Sequence, residues 1–165
     1  MSLSRRDFVK LCTGTVAGFG ISQMFNPAVL HALEKAAPII LWLQGQGCTG
    51  CSVSLLNSVN PGIADILLKV ISLEFHPTVM AGEGEIAFDH LYKVASDNKG
   101  KYLLIVEGAV PVAEAGRYCI VGEAHGKEFT MAESTAELGA KAAAVISVGT
   151  CAAYGGLPKA KPNPT

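Results

Sequence analysis

With 165 residues, half of them apolar, and 13 Lys and Arg set against 14 Asp and Glu, the chain has material for one ordinary core and almost no net charge. A nucleic-acid partner is not expected, because phosphate binding calls for a surplus of basic side chains. Five cysteines, at 12, 48, 51, 119 and 151, are too few for a disulfide scaffold at this length, so each is read by its place.

Residues 4–10, Ser-Arg-Arg-Asp-Phe-Val-Lys, precede a soft apolar stretch from Leu11 to Phe25 that Gly14, Gly18 and Gly20 interrupt. Paired arginines before an uncharged stretch predict a twin-arginine export signal over residues 1–32, with cleavage near Ala32. The stretch is shorter than the roughly 20 residues that cross a bilayer, so no permanent span is expected. Cys12 leaves with the leader and is given no metal role.

From Pro38 onward apolar runs alternate with helical patterns, the sequence form of a parallel sheet covered by helices. Ile39 to Leu43 is the first predicted strand. Asn60 and Pro61 supply a helix start, and Ile63, Ile66, Leu67 and Val70 give that helix one buried face. A strand follows at Ile71 to Phe75. Phe88, Leu91, Tyr92 and Ala95 repeat at helical spacing, Asn98-Lys99-Gly100 ends that helix, and Tyr102 to Val106 is a strand buried on both faces. Residues 108–129, with their scattered glycines, read as an irregular connection. Thr130 and Glu133 form a capping box before a helix running to about Lys141, and Ala143 to Val148 is the fourth strand. Residues 157–165 hold no closing helix or strand and are expected to mark a truncated end.

Ligands of open α/β sheets gather at the carboxyl ends of the strands. There this sequence places Gly45-Gln46-Gly47-Cys48-Thr49-Gly50-Cys51, then Glu107-Gly108, then Gly149-Thr150-Cys151. The C-x-x-C spacing lets two thiolates approach one metal centre, and the glycines let the backbone turn and expose amides. The helix start after Cys51 is expected to offer free N–H groups to an anionic cluster. Zinc sites and redox dithiols share this spacing, so the pair alone leaves both open. Cys151 at another strand end favours a metal, with iron–sulfur ahead of zinc. Glu107, ending a buried strand, is costly unless paired or used. Cys119 reads as an inert buried thiol, and His76, His90 and His125 as core or solvated histidines.

Gly47-Cys48-Thr49-Gly50-Cys51-Ser52, Glu107-Gly108-Ala109-Val110-Pro111, Gly149-Thr150-Cys151-Ala152-Ala153-Tyr154-Gly155-Gly156 and Lys161-Pro162-Asn163-Pro164-Thr165, with the leader, resemble the nickel-iron hydrogenase small subunit across the whole chain. Gly47 and Val53 stand where many members carry glutamate. The Gln44-Gly45-Gln46-Gly47 run and Glu74-Phe75-His76-Pro77 look closer to the periplasmic nickel-iron-selenium branch. Gly50, where oxygen-tolerant members carry a cysteine, argues against that type.

The resemblance implies an exported subunit whose residues 38–165 form a flavodoxin-like domain with helices on both faces of a parallel sheet. It implies a proximal 4Fe-4S cluster on Cys48, Cys51 and Cys151, with the fourth ligand and further clusters expected only in a full-length chain. The implied partners are a large subunit carrying the nickel-iron centre, which performs the bond chemistry, and a redox protein or membrane electron acceptor. Two rivals are weighed. One is an exported flavodoxin-like binding module with a Cys48–Cys51 disulfide and no metal. The other is the related subunit of a quinone reductase, whose first motif typically carries adjacent cysteines.

Overall fold

The computed structural model describes residues 37–163, so the expected leader and Cys12 lie outside the described residues. In chain order the elements are β1 (Ile39–Gln44), α1 (Gly50–Leu56), α2 (Ile63–Asp65, continuing as a π-helical turn Ile66–Val70), β2 (Ser72–Phe75) and α3 (Gly84–Asp97). Then come β3 (Tyr102–Glu107), β4 (Ile120–Ala124), β5 (Lys127–Thr130), α4 (Met131–Lys141), β6 (Ala144–Val148) and α5 (Gly149–Tyr154).

Four buried residues in a row, Ile40 to Leu43, suit a strand covered on both faces, and β1 is an interior strand of the sheet. It pairs in parallel with β2 on one side and β3 on the other, and β6 extends β3, giving the order β2-β1-β3-β6. Because side chains alternate along a strand, the register that sets Leu41 beside Leu104 and Leu43 beside Val106 also sets Trp42 beside Ile105 and Gln44 beside Glu107 on the other face.

The first face carries the core. Leu41, Leu43, Phe75, Tyr102, Leu104 and Val106 pack with Leu91 and Ala95 of α3 and with Met131 and Leu138 of α4. Half of the predicted capping box of α4 forms: the Thr130 hydroxyl accepts from the Glu133 amide, while the Glu133 carboxylate accepts from Lys127. Tyr102 sits beneath α4 and donates its hydroxyl to the Leu138 carbonyl at 2.5 Å, so its one polar atom is satisfied inside the core.

Two expectations need correction. The stretch 108–129 is not wholly irregular: β4 and β5 form an antiparallel hairpin. Its turn is His125-Gly126, both at positive φ, the conformation that matches the twist of a tight hairpin. The hairpin lies on α3 through an aromatic group of Phe129, Phe88 and Tyr92, and Gly122 passes so close to Phe88 that a β-carbon there would overlap the ring.

The second correction concerns α2. Ile63, Ile66 and Leu67 are only half-buried and Val70 is exposed, so the predicted buried face is incompletely covered. The physical reason is a change of helical repeat. The Ile71 amide bonds back five residues to the Ile66 carbonyl, which rotates the last side chains away from a 3.6-residue stripe.

Candidate metal centre

The loops leaving β1 and β3 stay joined beyond the sheet. The Gly45 amide donates to the Glu107 carbonyl at 2.7 Å, and Gln46 and Ala109 exchange two backbone bonds at 3.0 and 2.7 Å. A β-carbon on Gly45 would lie 2.5 Å from the Ala109 carbonyl oxygen, so this approach requires glycine. The β1 loop then reaches Cys48, which is exposed, and Thr49, which adopts a left-handed conformation at φ 61° ahead of α1. For a β-branched residue that conformation costs about 1–3 kcal/mol and persists only where its surroundings hold it.

Cys51 follows in the first turn of α1, half-buried. From the far side of the sheet, Gly149 at φ 82° turns the chain out of β6 and brings in Cys151 on α5. Cys48, Cys51 and Cys151 line one cavity of about 250 Å³ together with Glu107, Gly108, Gly149 and Thr150. Cys48 and Cys151 also border an adjoining recess formed by Leu157, Pro158 and Asn163. Burial raises the Cys51 thiol above its ordinary value, and the charges of Glu107, Cys48 and Cys151 raise it further.

A thiol ligates a metal as its thiolate, and a bound cation favours that form. The three thiols border a volume and do not close on a point. Among the described residues no three His, Cys, Asp or Glu side chains stand close enough to hold a single metal ion. Thiol sets of this kind serve zinc and iron–sulfur centres alike. Glycines make room for the sulfurs. A β-carbon on Gly149 would meet the Cys51 sulfur at 2.4 Å, one on Gly156 the Cys151 sulfur at 2.5 Å, and one on Gly50 the Cys48 sulfur at 3.0 Å. Each sulfur is thus packed against a residue whose missing side chain leaves it room.

Glu107 is 3% exposed and ionised, and its partners explain why. One oxygen accepts from the Cys51 amide at 3.0 Å and the Ser52 amide at 3.2 Å. The other accepts from the Trp42 indole at 3.0 Å, the Gln44 amide at 3.1 Å and the Ser52 hydroxyl. Burial alone pushes the carboxyl up; the bonds from Ser52, Gln44 and Trp42 outweigh it and hold Glu107 below the ordinary carboxylate range. The expectation of free amides at the start of α1 therefore needs correction: those of Cys51 and Ser52 belong to Glu107.

The network continues to His76. Ser52 gives its only proton to Glu107, so it must accept from the His76 Nε2, 3.1 Å away. The Thr78 amide donates to Nδ1 at 3.1 Å, which requires the same tautomer. Burial lowers the pKa of His76, only partly opposed by the Glu107 charge, and the ring is neutral. Gln44 is oriented too, since its carbonyl accepts from the Thr78 hydroxyl at 2.8 Å while its amide also reaches Ser52 at 2.8 Å.

Of the predicted site residues, Cys48, Cys51, Cys151 and Glu107 come together. Cys119 stays apart, half-buried against the core, its thiol raised by burial. His90 and His125 are surface residues beside Glu74 and beside Asp89 and Glu85. The contacts of Trp42, Gln44 and Ser52 with Glu107 carried no signal in the sequence, because each spans more than 50 positions.

The family described as "NADH ubiquinone oxidoreductase, 20 Kd subunit" matches residues 48–165. The chain is 58% identical to the periplasmic NiFeSe hydrogenase small subunit of Desulfomicrobium baculatum over all of its own length and 55% of that protein. It is 40% identical to the periplasmic NiFe hydrogenase small subunit of Solidesulfovibrio fructosivorans, over 99% of this chain and 50% of the relative. The chain therefore spans about half the length of these curated relatives. Among solved structures, the recombinant NiFeSe hydrogenase of Desulfovibrio vulgaris Hildenborough superposes with a TM-score of 0.76 at 62% identity, covering 79% of this chain and 46% of that one.

Proposed function

Because the chain belongs to the family described as the NADH ubiquinone oxidoreductase 20 Kd subunit, and within it resembles hydrogenase small subunits, we propose that it is the electron-relaying portion of a nickel-iron-selenium hydrogenase small subunit. The observation that carries this reading is the convergence of Cys48, Cys51 and Cys151, from strand ends 100 positions apart, on one cavity inside the matched region. Family membership alone does not choose between a hydrogenase and a quinone reductase. The whole-chain identity to hydrogenase small subunits supports the first, and Gly50 next to Cys51 agrees with it.

The hydrogenase small-subunit family carries iron–sulfur clusters, and here Cys48, Cys51 and Cys151 would supply three thiolates to a proximal 4Fe-4S cluster. Such a cluster accepts and releases one electron at a time when bound. The chain's own contribution is placement. The joined loops of β1 and β3 hold Cys48, the Glu107 network fixes the first turn of α1 that carries Cys51, and the turn at Gly149 presents Cys151. A large subunit with a nickel-iron centre would split dihydrogen, and a redox protein or membrane acceptor would receive the electrons. The order β2-β1-β3-β6 supports a flavodoxin-like domain over residues 38–165. The relatives' periplasmic names and the Arg5-Arg6 leader support export by the twin-arginine route.

The free thiols of Cys48 and Cys51 offer nothing to the metal-free disulfide reading. Hydrogen uptake with an artificial electron carrier tests the proposal. This chain purified alone without oxygen is expected to show none, and the full-length chain with its large subunit is expected to show uptake. Uptake by this chain alone would overturn the relay assignment.

A further inference from the structure

We propose that Glu107 is a positioning residue that lowers the reduction potential of the cluster, acting as a fixed negative charge beside the thiol cavity and as a clamp on the Cys51 and Ser52 amides. The inference rests on the cluster reading above and adds a role for a residue outside the cysteine set.

Three observations support it. Glu107 lines the same cavity as the three cysteines and accepts from the Cys51 amide at 3.0 Å. Its side chain is shut off from water, so its charge is weakly screened. All five donors on it are neutral: two backbone amides, an indole, a carboxamide and a hydroxyl. At the end of the network His76 accepts at Nδ1 and donates from Nε2, as a neutral ring does, so among the described residues no cation is hydrogen-bonded to the carboxylate.

Both consequences have the same sign. Adding an electron to an anionic centre beside a weakly screened carboxylate is disfavoured, which lowers the potential. Amide bonds to cluster sulfur stabilise the reduced state, and two amides at the start of α1 are turned to Glu107 instead. A purely structural carboxylate would hold α1 in place without setting the potential.

The test is a redox titration of the cluster, followed by electron paramagnetic resonance, in the full-length chain bound to its large subunit. Glu107→Gln keeps the shape and removes the charge. It is expected to raise the reduced-to-oxidised ratio at a fixed potential at least about tenfold, or about 59 mV for a one-electron couple. An iron-replete Glu107→Gln protein that titrates at the wild-type potential would overturn the proposal and leave the cluster reading intact. A wild-type protein without iron and sulfide would instead overturn the cluster reading. If Glu107→Gln proves too poorly loaded to titrate, Trp42→Phe decides. It removes one donor while keeping the charge, so the ratio is expected to fall, and an unchanged or higher ratio contradicts the proposal.

Discussion

On one face of the sheet Leu41, Leu43, Leu104 and Val106 pack with Leu91 and Leu138 into a core without charges. On the other, Trp42, Gln44 and Glu107, one step along the same strands, end in a hydrogen-bonded network beside three thiols. The first face is closed by two long helices. The second is met at the strand ends by the loop of Cys48 and the short helices α1 and α5 that carry Cys51 and Cys151. One set of strands thus separates two tasks: the apolar face supplies stability by burial, and the polar face spends buried polar groups on placing a site. A change on either face is then expected to be felt mainly in that face's own property.

The largest effect is expected from Gly149→Ala. Its new methyl would stand 2.4 Å from the Cys51 sulfur, at a φ that alanine tolerates poorly, so cluster loading should be largely lost. Far-ultraviolet circular dichroism should stay near wild type, because Gly149 lies outside the core; full iron content in this variant would break the comparison from the site side.

Leu104→Ala is the converse. Leu104 is fully buried in the apolar core, and the change should cost about 2–5 kcal/mol in denaturant unfolding of the full-length chain. The reduction potential of whatever cluster is loaded should not move. A shift in potential would mean that the two faces are coupled.

The smallest effect is a pH slope. Because burial depresses the pKa of His76, the unfolded chain takes up a proton that the folded chain refuses. The stability contributed by the neutral ring is full above its ordinary value of 6.5 and declines as pH falls below it. Glu107 adds its own loss only below 4.5, so the two windows are separable. In thermal unfolding between about pH 7 and 5, His76→Gln should flatten the decline. An equally steep slope in the variant would show that His76 does not titrate as described.

Much of the apolar face was legible in the sequence, because burial writes itself as periodicity. Tyr102 to Val106, the Phe88-Leu91-Tyr92-Ala95 spacing and the Thr130 cap all lie within elements close to their predicted bounds. The hairpin of β4 and β5 was hidden because Gly122 and Gly126 read as breaks, although β-branched and aromatic residues flank the His125-Gly126 turn. At the site, Cys48, Cys51, Cys151 and Glu107 were visible as unusual residues at strand ends. The network roles of Ser52 and His76 were not, since they exist only once parallel pairing sets β1, β2 and β3 side by side. Hydrogen-bond partners chosen by topology leave no local pattern. The α1 amides were assigned to the cluster for the same reason: the helix start was legible, and the carboxylate that occupies it was not.

The claim that the polar face holds an iron–sulfur cluster is tested most directly by counting iron and acid-labile sulfide in the full-length chain, purified without oxygen and bound to its large subunit. Cys48→Ser, Cys51→Ser and Cys151→Ser should each lower both counts, while Cys119→Ser, packed against the apolar core, should match wild type. Wild-type counts in the first three variants, or a loss of iron in Cys119→Ser alone, would contradict the account.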